Sequence, residues 1–197
     1  MNLVEELKNG NLDAVKDAVS AVNLTPVSHL VNNWNYRQYF LDRAGKEHYK
    51  LISWFASQFP GQTVMDIGTH YGGSSLAMSF DKNVKVISYD IVEMKQMARP
   101  FPENCEYKIG DFREDPETMM APFIFIDVDP HDGIQEREFH KFFLESGYKG
   151  ITLWDDIDCN APMRAWWGAL ENEYAQYKKV DVTKIGHWSG TGMVIYG

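Results

Sequence analysis

The stretch Val64-Met65-Asp66-Ile67-Gly68-Thr69-His70-Tyr71-Gly72-Gly73-Ser74-Ser75 decides the fold class. Its first four residues form a short β-rich run. The small residues from Gly73 onward, GGSSLAMSF with Gly72, suit a helix. Gly68 permits a sharp turn where the strand ends. Gly72 and Gly73 let backbone approach a ligand closely and open a helix whose first N–H groups are free. The spacing Gly68-x-x-x-Gly72 is not the G-x-G-x-x-G of dinucleotide-binding loops. Asp66, just inside the strand, is poorly placed for a pyrophosphate and better placed for a cationic amino group. A tight structural turn is the competing reading of the same residues.

Downstream, strand-like and helical runs alternate. VKVISYD, CEYKIGD, APFIFIDVD and GYKGITLWDD read as strands, and GIQEREFHKFFLES and APMRAWWGALENEYAQY as helices. Residues 91–99 suit a loose helix closed by Pro100 and Pro102. Such alternation implies parallel crossovers and a doubly wound α/β sheet. The last two β-like runs, KKVDVTKIGHW and TGMVIYG, have only Ser189-Gly190 between them, too little for a crossover, so they are expected as an antiparallel hairpin. The glycines of the segment His187–Gly192 suit a tight turn there. Upstream, residues 1–22 read as a helix pair broken at Asn9-Gly10-Asn11, and 23–35 as a connector. A firmer helix is expected over 44–58, with the apolar stripe Tyr49, Ile52, Trp54, Phe55 and Phe59. The expected organisation is a helical extension, 1–61, followed by an α/β domain, 62–197.

The chain has 197 residues and a formal charge of −9, and 14% of it is aromatic. Such a chain can bury a core, which argues against global disorder. The acid excess argues against a duplex nucleic-acid partner and against docking on an anionic membrane. No apolar run approaches the ~20 residues of a spanning helix. The beginning MNLVEELKNG lacks the apolar core of a secretory signal. Cys105 and Cys159 form no spaced framework, and two free thiols fit a reducing, cytoplasmic setting.

The acids are placed where strands end. Asp90 closes the second strand, 22 residues after Gly68, where doubly wound folds place a carboxylate on ribose hydroxyls. Asp111 closes the third, followed by Phe112, so a carboxylate and a ring could meet the edge and face of an adenine. Loop or helix capping is the plainer role of any one such aspartate. Asp127 and Asp129 follow the fourth strand, and Asp155 and Asp156 the fifth. Six of the 28 acids fall in 127–132 and 155–158, with no Lys or Arg among them. Parallel strands deliver both stretches to one sheet edge, where the carboxylates repel unless a cation or protons intervene. Oxygen-only ligation suits Mg²⁺ or Mn²⁺. His131 could complete such a site or act as a base.

These motifs resemble the class I S-adenosylmethionine-dependent methyltransferases over 62–197. DIGTHYGGSS is similar to the first motif of that family, SYD to the second and IGD to the third. FIDVDPHDG with GYKGITLWDDI is most similar to small-molecule O-methyltransferases of the catechol and caffeoyl-CoA type and of the macrocin and cephalosporin-tailoring type. The resemblance implies a Rossmann-like, mostly parallel seven-stranded sheet. It implies cofactor contacts from Asp66, Gly68, Thr69, His70, Tyr71, Gly72, Ser74, Asp90, Ile91, Asp111, Phe112 and Asp127. It implies a metal held by Asp127, Asp155 and Asp156, with Asp129 as the alternative to Asp127. His131, Asp127 and Asp129 are the candidates for catalysis. Relatives often have D-x-D-H, whereas here Pro130 separates Asp129 from His131. This leaves open which aspartate faces the metal and whether His131 reaches the acceptor.

The expected activity is metal-assisted O-methylation of a small hydroxylated acceptor. The alternatives are metal-independent methylation of nitrogen or a carboxylate, a nicotinamide-dependent oxidoreductase and a non-catalytic binding protein. Trp166-Trp167 could place one ring on the sheet and one in an acceptor pocket. Tyr36, Arg37 and Tyr39 could form a lid, and the N-terminal helices a homodimer contact.

Overall fold

A computed structural model describes residues 2–31, 37, 38, 40, 41, 48–93 and 102–197. Before the sheet come helices α1 (Leu3–Lys8), α2 (Leu12–Ser20), α3 (Thr25–Ser28) and α4 (Tyr49–Ala56). Then follow β1 (Thr63–Ile67), α5 (Gly73–Met78), β2 (Lys85–Asp90), β3 (Cys105–Ile109), β4 (Phe123–Ile126), α6 (Ile134–Glu145), β5 (Ile151–Asp155) and α7 (Ala161–Ala169). The chain closes with β6 (Glu173–Tyr174), β7 (Tyr177–Asp181) and β8 (Thr191–Tyr196). Short 3-10 turns occupy Phe112–Glu114, Pro116–Met120 and Thr183–Ile185.

The strands form one sheet in the order β3-β2-β1-β4-β5-β8-β7-β6. Seven of them are longer than two residues, and β6 is a two-residue edge. Strands β1 to β5 run parallel, and β8 pairs antiparallel with both β5 and β7. The parallel sheet with an antiparallel closing pair matches the sequence expectation.

Alternation along the strands divides the core between two faces. Val64, Val86, Phe123, Phe125, Ile151 and Leu153 face one cluster, which also takes α4, α5 and the apolar residues Leu7, Val15, Val19 and Leu24 of the N-terminal segment. Met65, Ile67, Ile87, Ile124, Ile126 and Trp154 face the other, covered by Phe139 and Phe143 of α6 and Met163 and Trp166 of α7. Helices therefore lie on both faces, and residues before 62 share a core cluster with the sheet.

The break at Asn9-Gly10-Asn11 falls between α1 and α2, as the sequence suggests. Asn2 caps α1 by accepting the N–H groups of Val4 and Glu5. The helix expected over 44–58 is seen as α4, and 42–47 lie outside the described residues. So do 94–99 of the loose helix expected over 91–99, together with Tyr36 and Tyr39. Arg37 is described, and its guanidinium donates to the carbonyls of Val31 and His29.

The tight hairpin expected at Ser189-Gly190 is corrected. Strand β7 stops at Asp181, and residues 182–190 form a loop that buries Val182 and Ile185 in the first cluster. Two apolar residues beyond the strand end gave that loop its own anchor, so the chain does not turn at once. The long helix expected through 177 also ends earlier, at Ala169, because the chain enters β6 four residues later.

Candidate functional site

The carboxyl ends of β1, β4 and β5 meet at one edge of the sheet. In open α/β sheets this is the edge where ligands bind. Two other segments reach it for topological reasons. Helix α4 packs against β4, and its N-cap, His48, meets Phe125 and Asp155 at the carboxyl edge. Strand β8 is antiparallel to β5, with Asp155 opposite Thr191, so the loop before β8 also arrives there.

Gly68 ends β1 with φ +87°, and a Cβ there would lie 1.7 Å from the carbonyl oxygen of Asp127. Only glycine allows the two strand ends to approach so closely. Gly72 has φ +80° and leads into α5, while a Cβ on Gly73 would press on the Tyr49 ring at 2.8 Å from its hydroxyl. Thr69 and Ser75 share a buried hydroxyl contact of 3.1 Å. The resulting cleft is lined by Tyr49, Gly68, His70, Tyr71, Asp127 and His131, among others.

Asp66 lies beneath this loop, fully buried, on the face that carries α5. The hydroxyls of Ser74 and Ser88 both donate to its Oδ2 at 2.9 Å. Burial pushes its pKa up to about 6, against the lowering pull of those hydroxyls. Asp66 thus ties β1 to α5 and β2 from below, and it does not line the cleft in the way the sequence suggested. Asp90 accepts the backbone N–H of His70 at 3.0 Å and of Val92 at 3.2 Å, holding the loop from its other side.

Asp111 and Phe112, expected as an adenine-binding pair, both have partners within the chain. Arg113 donates to both oxygens of Asp111 and holds its carboxyl below the usual range. Phe112 is 3% exposed and packs edge-on against Phe139, so core packing takes its ring. Ile91 is exposed beside Asp90.

The acids of β4 and β5 are separated by histidines. Nε2 of His131 stands 3.4 Å from Asp127 and 3.2 Å from Asp156. Asp155 meets Nδ1 of His48 at 3.3 Å and Nδ1 of His187 at 3.2 Å. Ser189 donates to Asp156 and stands 2.7 Å from Nδ1 of His187. The interposed Pro130 therefore does not keep His131 from the site. The carboxylate of Asp129 is 93% exposed and meets Nδ1 of His131 at 3.3 Å. It points away from Asp155 and Asp156, and Asp127 is the aspartate that faces them.

The electrostatics follow from this interleaving. Close contact with the Asp127 carboxylate pushes His131 up to about 9. Burial pushes the Asp155 carboxyl up, but His48 and His187 outweigh it and hold it well below the usual carboxylate range. Burial lowers His48, and Asp155 more than restores it. Partial burial and then the charge of Asp155 raise Asp127. Among the described residues, the three non-glycine positions with positive φ are His70, His131 and Asp156, all at this edge. Such backbone costs energy and collects at functional sites.

No protein-family model matches the sequence, and no curated protein matches it. Solved structures do match. A Staphylococcus aureus protein provisionally named a caffeoyl-CoA O-methyltransferase superposes with a TM-score of 0.57 at 17% identity, covering 76% of this chain and 82% of its own. A Klebsiella pneumoniae protein provisionally named an O-methyltransferase gives 0.55 at 13%, covering 93% and 99%. An O-methyltransferase from Bacillus cereus in complex with SAH gives 0.51 at 17%, covering 94% and 90%. The chain has the class I methyltransferase fold.

Within that methyltransferase fold, sequence reasoning missed two residues, His48 and His187. A signal existed for the first. His48, Ile52 and Phe55 share a helical face whose apolar members are buried, so a histidine heads a buried stripe. For His187 the signal was the same stretch taken for strand and turn. Trp166 is buried against Trp154, and Trp167 lies under Lys179 and against Gly192, so neither ring enters the cleft.

Proposed function

We propose that the chain is an S-adenosylmethionine-dependent methyltransferase that methylates an oxygen of a small hydroxylated acceptor with help from a divalent ion. The observation that carries this reading is the adjacency of the Gly68–Gly73 loop to the histidine–carboxylate cluster. Both open on one cleft, through Asp127 and His131. The donor set fits a divalent ion, because buried carboxylate and imidazole atoms with no hydrogen-bond partner among the described residues face one another there. When bound, the cofactor supplies an activated methyl group and the ion lowers the pKa of an acceptor hydroxyl.

The chain's own residues do the rest. Gly68 keeps the loop tight against Asp127, so the cofactor side and the acceptor side of the cleft stay in register. Alignment of this kind can supply several kcal/mol. Asp90 offers its carboxylate beside the loop for ribose hydroxyls. His131 stands between Asp127 and Asp156, at 3.4 Å and 3.2 Å, and holds the two carboxylates in place. Asp127 lines the cleft beside the Gly68–Gly73 loop and is the better placed proton acceptor. The acid excess, 28 Asp and Glu against 19 Lys and Arg, supports a small acceptor over a nucleic acid. Among the described residues no helix is long and apolar enough to cross a membrane.

The test is transfer of labelled methyl from S-adenosylmethionine to a panel of catechols, phenols and amines, with and without a chelator. Chelator-sensitive labelling of a hydroxylated acceptor is expected. Labelling of amines alone, unchanged by chelation, overturns the assignment.

A further inference from the structure

We propose that His48, Asp155 and His187 form a site for a first-row transition ion of the Zn²⁺ class, rather than for Mg²⁺. The inference rests on reading the cluster as a divalent-ion site, but not on methyl transfer. One ligand atom from each of the three residues lies within 4.8 Å of the others. Nδ1 of His48 stands 3.3 Å from Oδ2 of Asp155, and Nδ1 of His187 stands 3.2 Å from its Oδ1, so the carboxylate offers one oxygen to each ring. Two ligands each about 2.1 Å from one ion, at angles between octahedral and tetrahedral, stand about 3.0–3.4 Å apart. Each of these two contacts has the length of one edge of such a coordination polyhedron, and the 4.8 Å limit leaves room for one ion among the three side chains.

The second observation is independent of spacing. His48 is 4% exposed, and neither of its ring nitrogens has a hydrogen-bond partner among the described residues. Asp155 is 5% exposed, and its Oδ1 also lacks one. Buried polar atoms are normally partnered. The His48 contact with Asp155 is within charge-pairing distance without hydrogen-bond alignment, as expected of two groups aimed at a third point between them. The His48 and His187 rings stand edge to face, 5.3 Å between centroids. Nδ1 of His187 also has Ser189 at 2.7 Å and Asp156 at 3.3 Å. Ser189 donates to Asp156, which keeps that carboxylate next to the ion as a countercharge.

The donor chemistry selects the ion. Mg²⁺ gives up water reluctantly and takes oxygen ligands. Imidazole nitrogen suits Zn²⁺, Fe²⁺, Co²⁺ and Ni²⁺. Two nitrogens and one oxygen therefore favour that group. The site also joins three distant segments, the N-cap of α4, the end of β5 and the loop before β8, so an ion there would staple the N-terminal helices to the sheet.

The full chain, stripped with a chelator, is titrated with Zn²⁺ and with Mg²⁺ by calorimetry, and Co²⁺ uptake is followed by visible absorption. Binding of one Zn²⁺ is expected, with Mg²⁺ much weaker and a Co²⁺ spectrum typical of nitrogen ligation. His48→Ala and His187→Ala should each weaken Zn²⁺ by at least about 10- to 100-fold, the range that loss of supporting residues alone can reach. Circular dichroism checks their folding, and the wild-type Co²⁺ spectrum decides the donor set even where a variant does not fold. Equal affinity for Mg²⁺ and Zn²⁺, unchanged by either variant, overturns the proposal and leaves the ion on the carboxylates. Binding of S-adenosylhomocysteine with no binding of any ion also overturns it while sparing the methyltransferase reading. Zn²⁺ bound as expected, with no S-adenosylhomocysteine bound, supports the site and removes that reading instead.

Discussion

Replacing Asp66 by Asn separates a structural carboxylate from a ligand-binding one. Asp66 is fully buried, and its pKa rises from 3.8 to about 6. A raised carboxylate favours the folded state below its unfolded value, and that advantage is lost as pH rises through the folded value. A rise of this size corresponds to about 3 kcal/mol of stability lost between roughly pH 4 and pH 7. Asn cannot ionise and escapes this loss. Ser74 and Ser88 can still donate to its amide oxygen. The amide nitrogen would replace Oδ1, which has no hydrogen-bond partner among the described residues, at a cost of about 1–3 kcal/mol. At pH 7.5 the two effects largely offset, and Asp66→Asn should lie between neutral and about 2 kcal/mol more stable. At pH 4 the variant should be the less stable protein. Urea unfolding of both proteins from pH 4 to pH 8 measures the difference. A difference that does not change with pH refutes the argument that this carboxylate is ionised at a cost inside the fold.

Gly68→Ala should destabilise the protein by more than about 3 kcal/mol, because its Cβ would meet a backbone oxygen at 1.7 Å from a positive-φ position; an unchanged urea midpoint would show that the loop can move aside. Asp90→Ala should weaken S-adenosylhomocysteine by about 10- to 100-fold in calorimetry, while Asp90→Asn, which still accepts the His70 N–H, should weaken it less. Equal affinity in all three proteins removes Asp90 from the ribose. Burial pushes His140 down to about 4 beside the Tyr196 hydroxyl, so protons bind the unfolded chain first and stability falls as pH drops from about 6.5 towards 4. The stability lead of wild type over His140→Gln should therefore shrink with acid, and a constant lead counts against the buried neutral imidazole.

Much of the sheet was legible because its residues obey local rules. Strands β1, β2, β4 and β5 are short β-rich runs that end in an acid or a glycine, and their alternation with helices admits few topologies. The antiparallel β8 was legible from a short connection, though the connection itself was misjudged, since Val182 and Ile185 look like strand residues until their burial is known. At the site, the acids Asp127, Asp155 and Asp156 could be placed from strand ends alone. His48 and His187 could not, because they come from segments 107 residues before and 32 residues after Asp155 and meet it only through the direction of α4 and β8. Asp111 and Phe112 present the opposite case. Their positions fit a ligand, but a neighbouring Arg113 and the α6 phenylalanines satisfy them within the chain. The lone negative cluster inferred from sequence is in fact an alternation of carboxylates and imidazoles.

Calorimetric titration of the full chain with S-adenosylhomocysteine, in competition with NADH, tests the central claim most directly. The account predicts one site per chain, unaffected by NADH. No binding of S-adenosylhomocysteine, or its displacement by NADH, would contradict it.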